Sequence, residues 1–249
     1  MRLLQRRSTL FGLALAALTP GVALAARQRL VLATGAVPPL TSAPGQIGFL
    51  DALATEVFGR IGIDVTLQPT PMERGLINAN AGIEDGEIYR APGFEKDYPN
   101  LVQVPEKVMD FELVAYTNRA DLRVRNWDDL APFSVGHITG WTAVERNLGA
   151  VRQVTTVRDS GQLIPMLASG RVDVVVLGRS EIFLRRARDA GLVLRAIEPP
   201  LARLPMFTYL HRRHEALVLP LAAALAEVKR DGTWQRLYDQ TLKPREPNR

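Results

Sequence analysis

Residues 167–177 read Leu-Ala-Ser-Gly-Arg-Val-Asp-Val-Val-Val-Leu, and this stretch decides the fold class. The run from Val172 to Leu177 is rich in β-branched residues and almost continuously apolar, which is typical of a parallel strand covered on both faces. Gly170 stands just before the run, where a preceding helix would end. Because parallel neighbours need long crossover connections, usually helices, the stretch predicts an α/β domain.

The same alternation continues outward in both directions. Residues 29–34 form an apolar strand-like run, residues 50–61 carry apolar side chains at helical spacing, and residues 63–67 alternate like a strand. The order strand, helix, strand favours a parallel sheet with a crossover helix. The pattern starts again at Ser134, and apolar residues share one helical face over 217–228. The chain is therefore predicted to form two α/β halves with a helical ending.

The first twenty-five residues predict an export signal. Arginines at positions 2, 6 and 7 precede an uncharged run over 10–18, and Ala-Leu-Ala at 23–25 offers the small residues that a signal peptidase reads. The run is far shorter than the roughly 20 residues of a membrane-spanning helix. We expect a periplasmic protein whose leader is removed near Ala25, by the Sec or the twin-arginine route.

Charge and cysteine usage exclude several classes of partner. The chain has 31 Lys and Arg against 26 Asp and Glu, and the leader holds three of these arginines, so the mature net charge is about +2. With no long run of like charges, we expect no nucleic-acid partner. The chain has no cysteine, which excludes disulfides and a lipid-bearing cysteine, so we expect no membrane anchor. We also expect a monomer.

Several short motifs, in this order along the chain, resemble periplasmic solute-binding proteins of family 3, the polar amino acid type. The resemblance implies an α/β, two-lobed, periplasmic binding protein-like fold of type II, in which each lobe is an open, mostly parallel sheet flanked by helices. Lobe 1 is expected over 26–117 plus 213–249 and lobe 2 over 118–212, with crossovers near 117–121 and 204–212. The matching stretches are the strand and loop at 30–40, Gly-Phe-Leu-Asp-Ala-Leu-Ala at 48–54, Asp-Asp-Leu at 128–130 before Val135-Gly136, Leu-Ala-Ser-Gly-Arg-Val-Asp at 167–173 and Lys-Arg-Asp-Gly-Thr at 229–233.

The resemblance also implies a function, which the departures from the pattern modify. Members that bind amino acids carry an arginine in a T-x-x-R context and an aspartate after the second lobe's buried strand; this chain has Gly178-Arg179-Ser180 at the latter place. It is similar to a divergent branch that lacks the usual amino-acid site. We expect non-covalent capture of a small polar, carboxylate-bearing solute, such as an amino-acid-like compound, a peptide or an organic acid, for the permease of an ABC transporter.

Two arginines are the candidate ligand residues of the first half. Arg74 opens a helix after a strand, and Arg90 ends a strand before Pro-Gly, so both are predicted at the carboxyl-end loops that line ligand crevices in open sheets. A guanidinium can hold a carboxylate in two parallel hydrogen bonds. Alternatively, either arginine pairs with Glu73, Glu87 or Glu95. Glu87 itself is a candidate for a ligand ammonium group or a structural partner of an arginine.

In the second half, the loop after the strand at 134–138 corresponds to the place where family members present N–H groups and a hydroxyl to an anion. Trp141 would stack on the ligand or pack near a hinge, and Arg179 would contact the ligand across the cleft or be a solvated first-turn arginine. The candidate ligand residues here are Thr139, Gly140, Trp141, Thr142 and Arg179.

No catalytic residue, cofactor or metal is predicted. His211 and His214 are spaced i, i+3 in an order that fits no zinc motif, and there is no G-x-S-x-G, P-loop or G-x-G-x-x-G sequence. Two alternatives stay open. One is an enzyme on the same scaffold, a cyclohexadienyl dehydratase-like protein acting on a prephenate-like acid with Glu73 or Glu87 as general acid. The other is a soluble sensory module that signals to a membrane kinase.

Overall fold

The computed structural model describes residues 27–243, so the predicted export signal lies outside the described residues. No helix in this part of the chain is both long and apolar enough to span a membrane. The strands are β1 (Arg29–Thr34), β2 (Asp64–Pro69), β3 (Gly86–Arg90), β4 (Leu101–Gln103), β5 (Met109–Thr117), β6 (Ser134–Ile138), β7 (Gln153–Val157), β8 (Val174–Gly178), β9 (Arg195–Ala196) and β10 (Ala202–His211). The helices are α1 (Phe49–Arg60), α2 (Met72–Asn80), α3 (Thr142–Glu145), α4 (Leu163–Ala168), α5 (Glu181–Asp189), α6 (Val218–Arg230) and α7 (Thr233–Thr241), with 3-10 turns at Asp128–Leu130, Ser160–Gln162 and Arg212–Leu217.

The sheet has the order β2-β1-β3-β10-β5-β8-β6-β7, with β4 beside β10 and β9 beside β5. Strand β1 is parallel to β2 and β3, and β6 is parallel to β7 and β8. Strands β5 and β10 run antiparallel to every strand with which they pair. The predicted α/β architecture is confirmed, but the sheet is mixed rather than mostly parallel, because two antiparallel strands join the two parallel groups.

Strands β5 and β10 carry the chain between the halves. The first part of β10 pairs with β5, from Ala202 opposite Leu113 to Met206 opposite Met109, and its second part pairs with β3 and β4. The far end of β5 pairs with β8, between Leu113 and Tyr116. The lobe division at 117 and 213 remains a prediction. This pairing favours a first crossover close to Met109, before β5 joins the second half.

The core confirms the double burial that was predicted for β8. Val174 and Val176 pack on one face with Leu113 and Val135, whereas Val175 and Leu177 belong to the cluster on the other face. All five residues of β8 are buried. A separate core in the first half packs α1 and α6 against β1 and β3. Each parallel group therefore has its own apolar support, which fixes the positions of its strand ends.

Candidate functional site

A buried carboxylate lies near the start of β3, the central strand of the first half. Glu87 on β3 is 1% exposed and lies beneath α2, where a Cβ added to Gly75 would come within 3.4 Å of its Oε1 atom. Ala33 of β1 pairs in register with Glu87 and also approaches Gly75. Small residues on the helix and the neighbouring strand thus leave room for this side chain in the interior.

Arg90 is the ion-pair partner of Glu87. Its Nη2 atom lies 2.8 Å from Glu87 Oε1 and also donates to the main-chain oxygen of Met72, in the first turn of α2, at 2.5 Å. The other carboxylate oxygen, Oε2, and the Arg90 Nε–H are both buried without a hydrogen-bond partner in the described chain. An arginine and a carboxylate can form two parallel bonds, whereas this pair has a single close contact, between Nη2 and Oε1. The site therefore retains a free donor and a free acceptor.

A β-bulge brings these two side chains together. In a regular strand, residues i and i+3 point to opposite faces, which would separate Glu87 from Arg90. Here Phe207 of β10 pairs with Arg90 and Thr208 with Ile88, so Tyr89 is the extra residue. Tyr89 has a φ of 71°, a genuine outlier for a bulky side chain, and it packs on the core side with Ile88. Such strain, on the order of 1–3 kcal/mol, concentrates at functional sites.

Burial changes the proton affinity of the pair. Removal from water raises the pKa of Glu87 to about 7, against the opposing attraction of Arg90 and with a further contribution from Glu84. The Glu87 carboxyl therefore exchanges a proton in the neutral pH range. A buried titratable group that also has a specific charged partner is a candidate functional group.

The structure places Arg74 close to this pair along α2 but in a different environment. Arg90 contacts the carbonyl of Met72, two residues before Arg74, whereas the Arg74 side chain is exposed and makes no ion pair within residues 27–243. Glu73 is likewise exposed. Of the predicted alternatives for Arg90, pairing with Glu87 is the one observed. The ligand roles of Arg74, Arg90 and Glu87 remain predictions.

Glu95, the other acid considered as an arginine partner, instead binds Tyr209 and Gly93. Its Oε1 accepts the Tyr209 hydroxyl at 3.0 Å, and its Oε2 accepts the Gly93 N–H at 3.0 Å. Phe94, the preceding residue, packs on the Tyr209 ring with centroids 4.6 Å apart. The segment after β3 is thereby fastened to β10 beside the buried pair.

In the second half, the predicted anion-binding loop uses its N–H groups internally. Thr139 donates to Val157 at 2.8 Å, Gly140 donates to the Glu145 carboxylate at 2.8 Å, and Thr142 donates to the carbonyl of Gly140 at 3.0 Å. The helix that follows has only four residues. Thr139, Gly140 and Thr142 are exposed, but in this conformation the loop does not present the row of free N–H groups that was expected.

Trp141 is one of three aromatic residues, with Phe111 and Tyr89, whose ring contacts connect the two halves. Its ring lies 5.8 Å from that of Phe111 on β5, and Phe111 lies 6.3 Å from Tyr89 on β3, both edge-on. Gly178 makes room for Phe111, because an added Cβ would lie 2.6 Å from its ring. This packing supports the hinge alternative for Trp141. Sequence patterns did not indicate Tyr89 or Phe111, because their contacts depend on the bulge and on the crossing strand.

Arg179 is neither free for a ligand nor simply solvated. It is paired with Glu112 on β5 and, at 2.8 Å, with Glu198, while Glu112 also binds Arg203 of β10 at 2.9 Å. The guanidinium links the end of β8 to β5 and to the segment before β10. Its charge is therefore already balanced, and a cross-cleft role would require these pairs to break.

The two histidines considered for metal binding take part in a structural cluster. His214 Nε2 lies 2.7 Å from Asp85 Oδ1, and Asp85 also receives Arg213 and the N–H of Val31. Burial raises the pKa of Asp85, but these hydrogen bonds outweigh it and the pKa is lowered. No group of three His, Asp or Glu side chains able to hold a metal ion occurs between residues 27 and 243.

An open depression of about 910 Å³ lies elsewhere on the second half, lined in part by Arg123, Asp129, Phe133 and Glu198. None of the predicted ligand residues lines it. Open α/β sheets bind ligands at the carboxyl ends of their parallel strands, and Arg90 lies at such an end. We therefore take the strand ends as the candidate site.

Comparison with known proteins identifies the fold. No protein-family model matches the chain. An uncharacterized protein of Shewanella oneidensis is 24% identical over 198 residues, covering 76% of this chain and 74% of that protein. The probable amino-acid ABC transporter extracellular-binding protein ytmK of Bacillus subtilis has a TM-score of 0.71 at 17% identity, covering 87% of this chain and 98% of that one.

Two further solved structures share the fold. A histidine kinase sensor domain with similarity to periplasmic binding proteins has a TM-score of 0.66 at 16% identity, covering 89% of this chain and 99% of that domain. The ancestral amino-acid-binding protein AncCDT-1, a precursor of cyclohexadienyl dehydratase, has a TM-score of 0.63 at 19% identity, with 86% and 95% covered. The chain therefore has the periplasmic binding protein-like fold, as predicted.

Proposed function

We propose that this protein is a periplasmic solute-binding protein of the family 3 type. It is exported, loses its leader near Ala25 and works as a monomer. It captures a small polar, carboxylate-bearing solute between its two halves by non-covalent binding. The solute passes to the permease of an ABC transporter, which recognises the closed form. The shared fold supports this proposal, since solved proteins with that fold include the ABC transporter binding protein ytmK.

The observation that carries the proposal is the ion pair of Glu87 and Arg90 on β3, in which one polar atom of each side chain has no hydrogen-bond partner in the described chain. Arg90 keeps an unused donor, and neighbouring Arg74 is an exposed cation with no ion pair in the described chain. Guanidinium groups at the carboxyl end of a parallel strand suit a ligand carboxylate by charge and by geometry. A bulge that strains Tyr89 in order to turn Arg90 toward Glu87 is difficult to explain by packing alone.

A thermal-shift screen tests the proposal with amino acids, short peptides, dicarboxylates and phosphorylated solutes. A ligand at 100 times its Kd adds about 2.7 kcal/mol to the free energy of unfolding. We expect the best ligand to lose most of its shift in Arg74→Ala and in Arg90→Lys, the latter keeping a cation opposite Glu87. Arg236→Ala, an exposed arginine on α7, is the control. Unchanged shifts in both site variants would contradict the assignment.

The alternative of an enzyme on the same scaffold has one specific observation in its favour. Burial places the pKa of Glu87 at about 7, the range that suits a general acid. However, Glu87 is only 1% exposed, so the substrate would have to reach it through a rearranged α2. Turnover of a prephenate-like acid by the purified protein, lost in Glu87→Gln, would favour the enzyme over the binding protein.

A sensory role is the third possibility, because a histidine kinase sensor domain shares the fold over most of this chain. The two roles differ in the membrane partner. Capture of a kinase ectodomain by the ligand-bound protein, with no effect on uptake of the same solute, would favour the sensor. Loss of solute uptake on deletion of the gene would support the transporter role.

A further inference from the structure

We propose, on the basis of the proposed function, that carboxylate binding at Arg90 is coupled to the uptake of one proton by Glu87. In the empty site Glu87 serves as the internal counter-ion of Arg90. When a solute carboxylate arrives at the guanidinium, Glu87 takes a proton from solvent and its charge is removed. The solute anion then balances the Arg90 guanidinium, and Glu87 beside them is a neutral carboxylic acid.

The charge balance around Arg90 makes the proton necessary. Glu87 is 1% exposed and Glu84 is 9% exposed, and each has one oxygen without a hydrogen-bond partner in the described chain. A solute carboxylate would add another negative charge to a buried group that holds a single guanidinium, because the Arg74 side chain is exposed to water and makes no contact with Glu87. A buried charge without a partner is very costly, and such groups become neutral instead. Protonation of Glu87 is the change that restores the balance.

The elements packed around Glu87 supply no second cation. From α2, the contact is Gly75, and the charged side chains Glu73 and Arg74 are exposed. The register partner of Glu87 on β1 is Ala33, and its register partner on β10 is Tyr209. The Tyr209 hydroxyl is directed to the side-chain oxygens of Glu95 and Gln103 instead. Among residues 27–243, Arg90 is thus the one cation that contacts the buried carboxylate.

The unpartnered atoms indicate where the proton and the solute go. Oε2 of Glu87 accepts no hydrogen bond in the described chain, so it can take the proton without displacing a donor. Oε1 shares Nη2 of Arg90 with the carbonyl of Met72. Because neutralising Glu87 weakens that bond, the guanidinium becomes available to the solute. Burial raises the pKa of Glu87 to about 7, so the proton is exchanged at physiological pH.

Acetate is a minimal probe of this coupling, since it contains the carboxylate and little else. We would follow the Arg90 Nε–H resonance by NMR, assigned by its loss in Arg90→Lys, while acetate is added at pH 6 and pH 8 at constant ionic strength. With Glu87 titrating near 7, the acetate Kd should be about tenfold weaker at pH 8 than at pH 6. In Glu87→Gln the Kd should be the same at both pH values, and Glu73→Gln should behave as the wild type.

A second measurement needs only the wild-type protein. Calorimetry of acetate binding at pH 8, in two buffers of different ionisation enthalpy, counts the protons taken up, and we expect close to one per acetate. A count of zero, an equal Kd at pH 6 and pH 8, or an Arg90 resonance that acetate never moves would each overturn the coupling. A solute from the thermal-shift screen that still requires Arg74 would leave the proposed function standing, so the two failures are distinguishable.

Discussion

Replacing Glu87 with glutamine tests whether the buried carboxyl titrates near neutral pH. Glutamine has nearly the same shape but carries no charge, so it mimics the protonated acid. Because the folded-state pKa of Glu87 is raised from 4.5 to about 7, its contribution to stability is complete below pH 4.5. That contribution is lost as the pH rises through 7, since the unfolded chain releases the proton more readily than the folded one.

The size of the effect follows from the two pKa values. A shift of about 2.5 units corresponds to about 3.4 kcal/mol in total, and about 2.5 kcal/mol of it falls between pH 5 and pH 8. The free energy of unfolding of the wild type should decrease by that amount from this group alone. In Glu87→Gln the term is absent. The variant should therefore gain about 2.5 kcal/mol relative to the wild type between pH 5 and pH 8.

Urea denaturation at pH 5, 6, 7 and 8 measures this difference at constant ionic strength, and subtracting the two proteins cancels the other titrating groups. Glu73→Gln, an exposed position on α2, is the matched control and should show a constant difference from the wild type. If the Glu87→Gln difference stays constant within about 0.5 kcal/mol across this range, Glu87 titrates as an ordinary carboxylate and the argument for proton coupling fails.

Three other substitutions test the packing near the site and at the opposite ends of the strands, where Asp173 lies. Because Tyr89 has a φ of 71°, urea denaturation should give Tyr89→Gly a free energy of unfolding about 1 kcal/mol higher than that of Tyr89→Ala. The opposite order would contradict the strain. Gly178→Ala places a Cβ 2.6 Å from the Phe111 ring and should cost about 1–3 kcal/mol, largely recovered with Phe111→Leu. The Asp173 carboxylate accepts hydrogen bonds from the Ser134 N–H and hydroxyl, and Asp173→Asn should weaken them at a cost of about 2 kcal/mol of unfolding free energy at pH 7. Burial raises the pKa of Asp173, but these hydrogen bonds outweigh it and the pKa is lowered, so the difference from the wild type should shrink below pH 3.8.

The sequence predicted the elements that depend on local pattern. The continuous apolar run of β8 indicated burial on both faces, and all of its residues are buried. Strand β5, from Met109 to Thr117, shows the limit of such patterns. Local sequence pattern could not predict which strands it pairs with, because an antiparallel strand that crosses between the halves is positioned by partners distant in the sequence. The mixed character of the sheet follows from that one topological fact.

The candidate site shows the same limit. The sequence placed Arg90 at a strand end and offered its pairing with Glu87 as an alternative to ligand binding. It could not show that Glu87 and Arg90 share a face of the sheet, since residues three positions apart in a regular strand point to opposite faces. The bulge at Tyr89 reverses this, and no glycine marks it in the sequence. One partner of Arg179, Glu112, lies 67 residues away along the chain and comes into contact with it only after folding.

An internal counter-ion gives a solute site a specific advantage. An empty site that held Arg90 without Glu87 would bury much of an unbalanced cation, which is strongly destabilising. With Glu87 present the empty protein is balanced, and a ligand must displace an existing partner to bind. A neutral solute cannot replace the carboxylate, and a solute cation would find the carboxylate already in use. Only an anion that arrives together with a proton restores the balance, so the pair selects for charge before any contact with the rest of the solute is made.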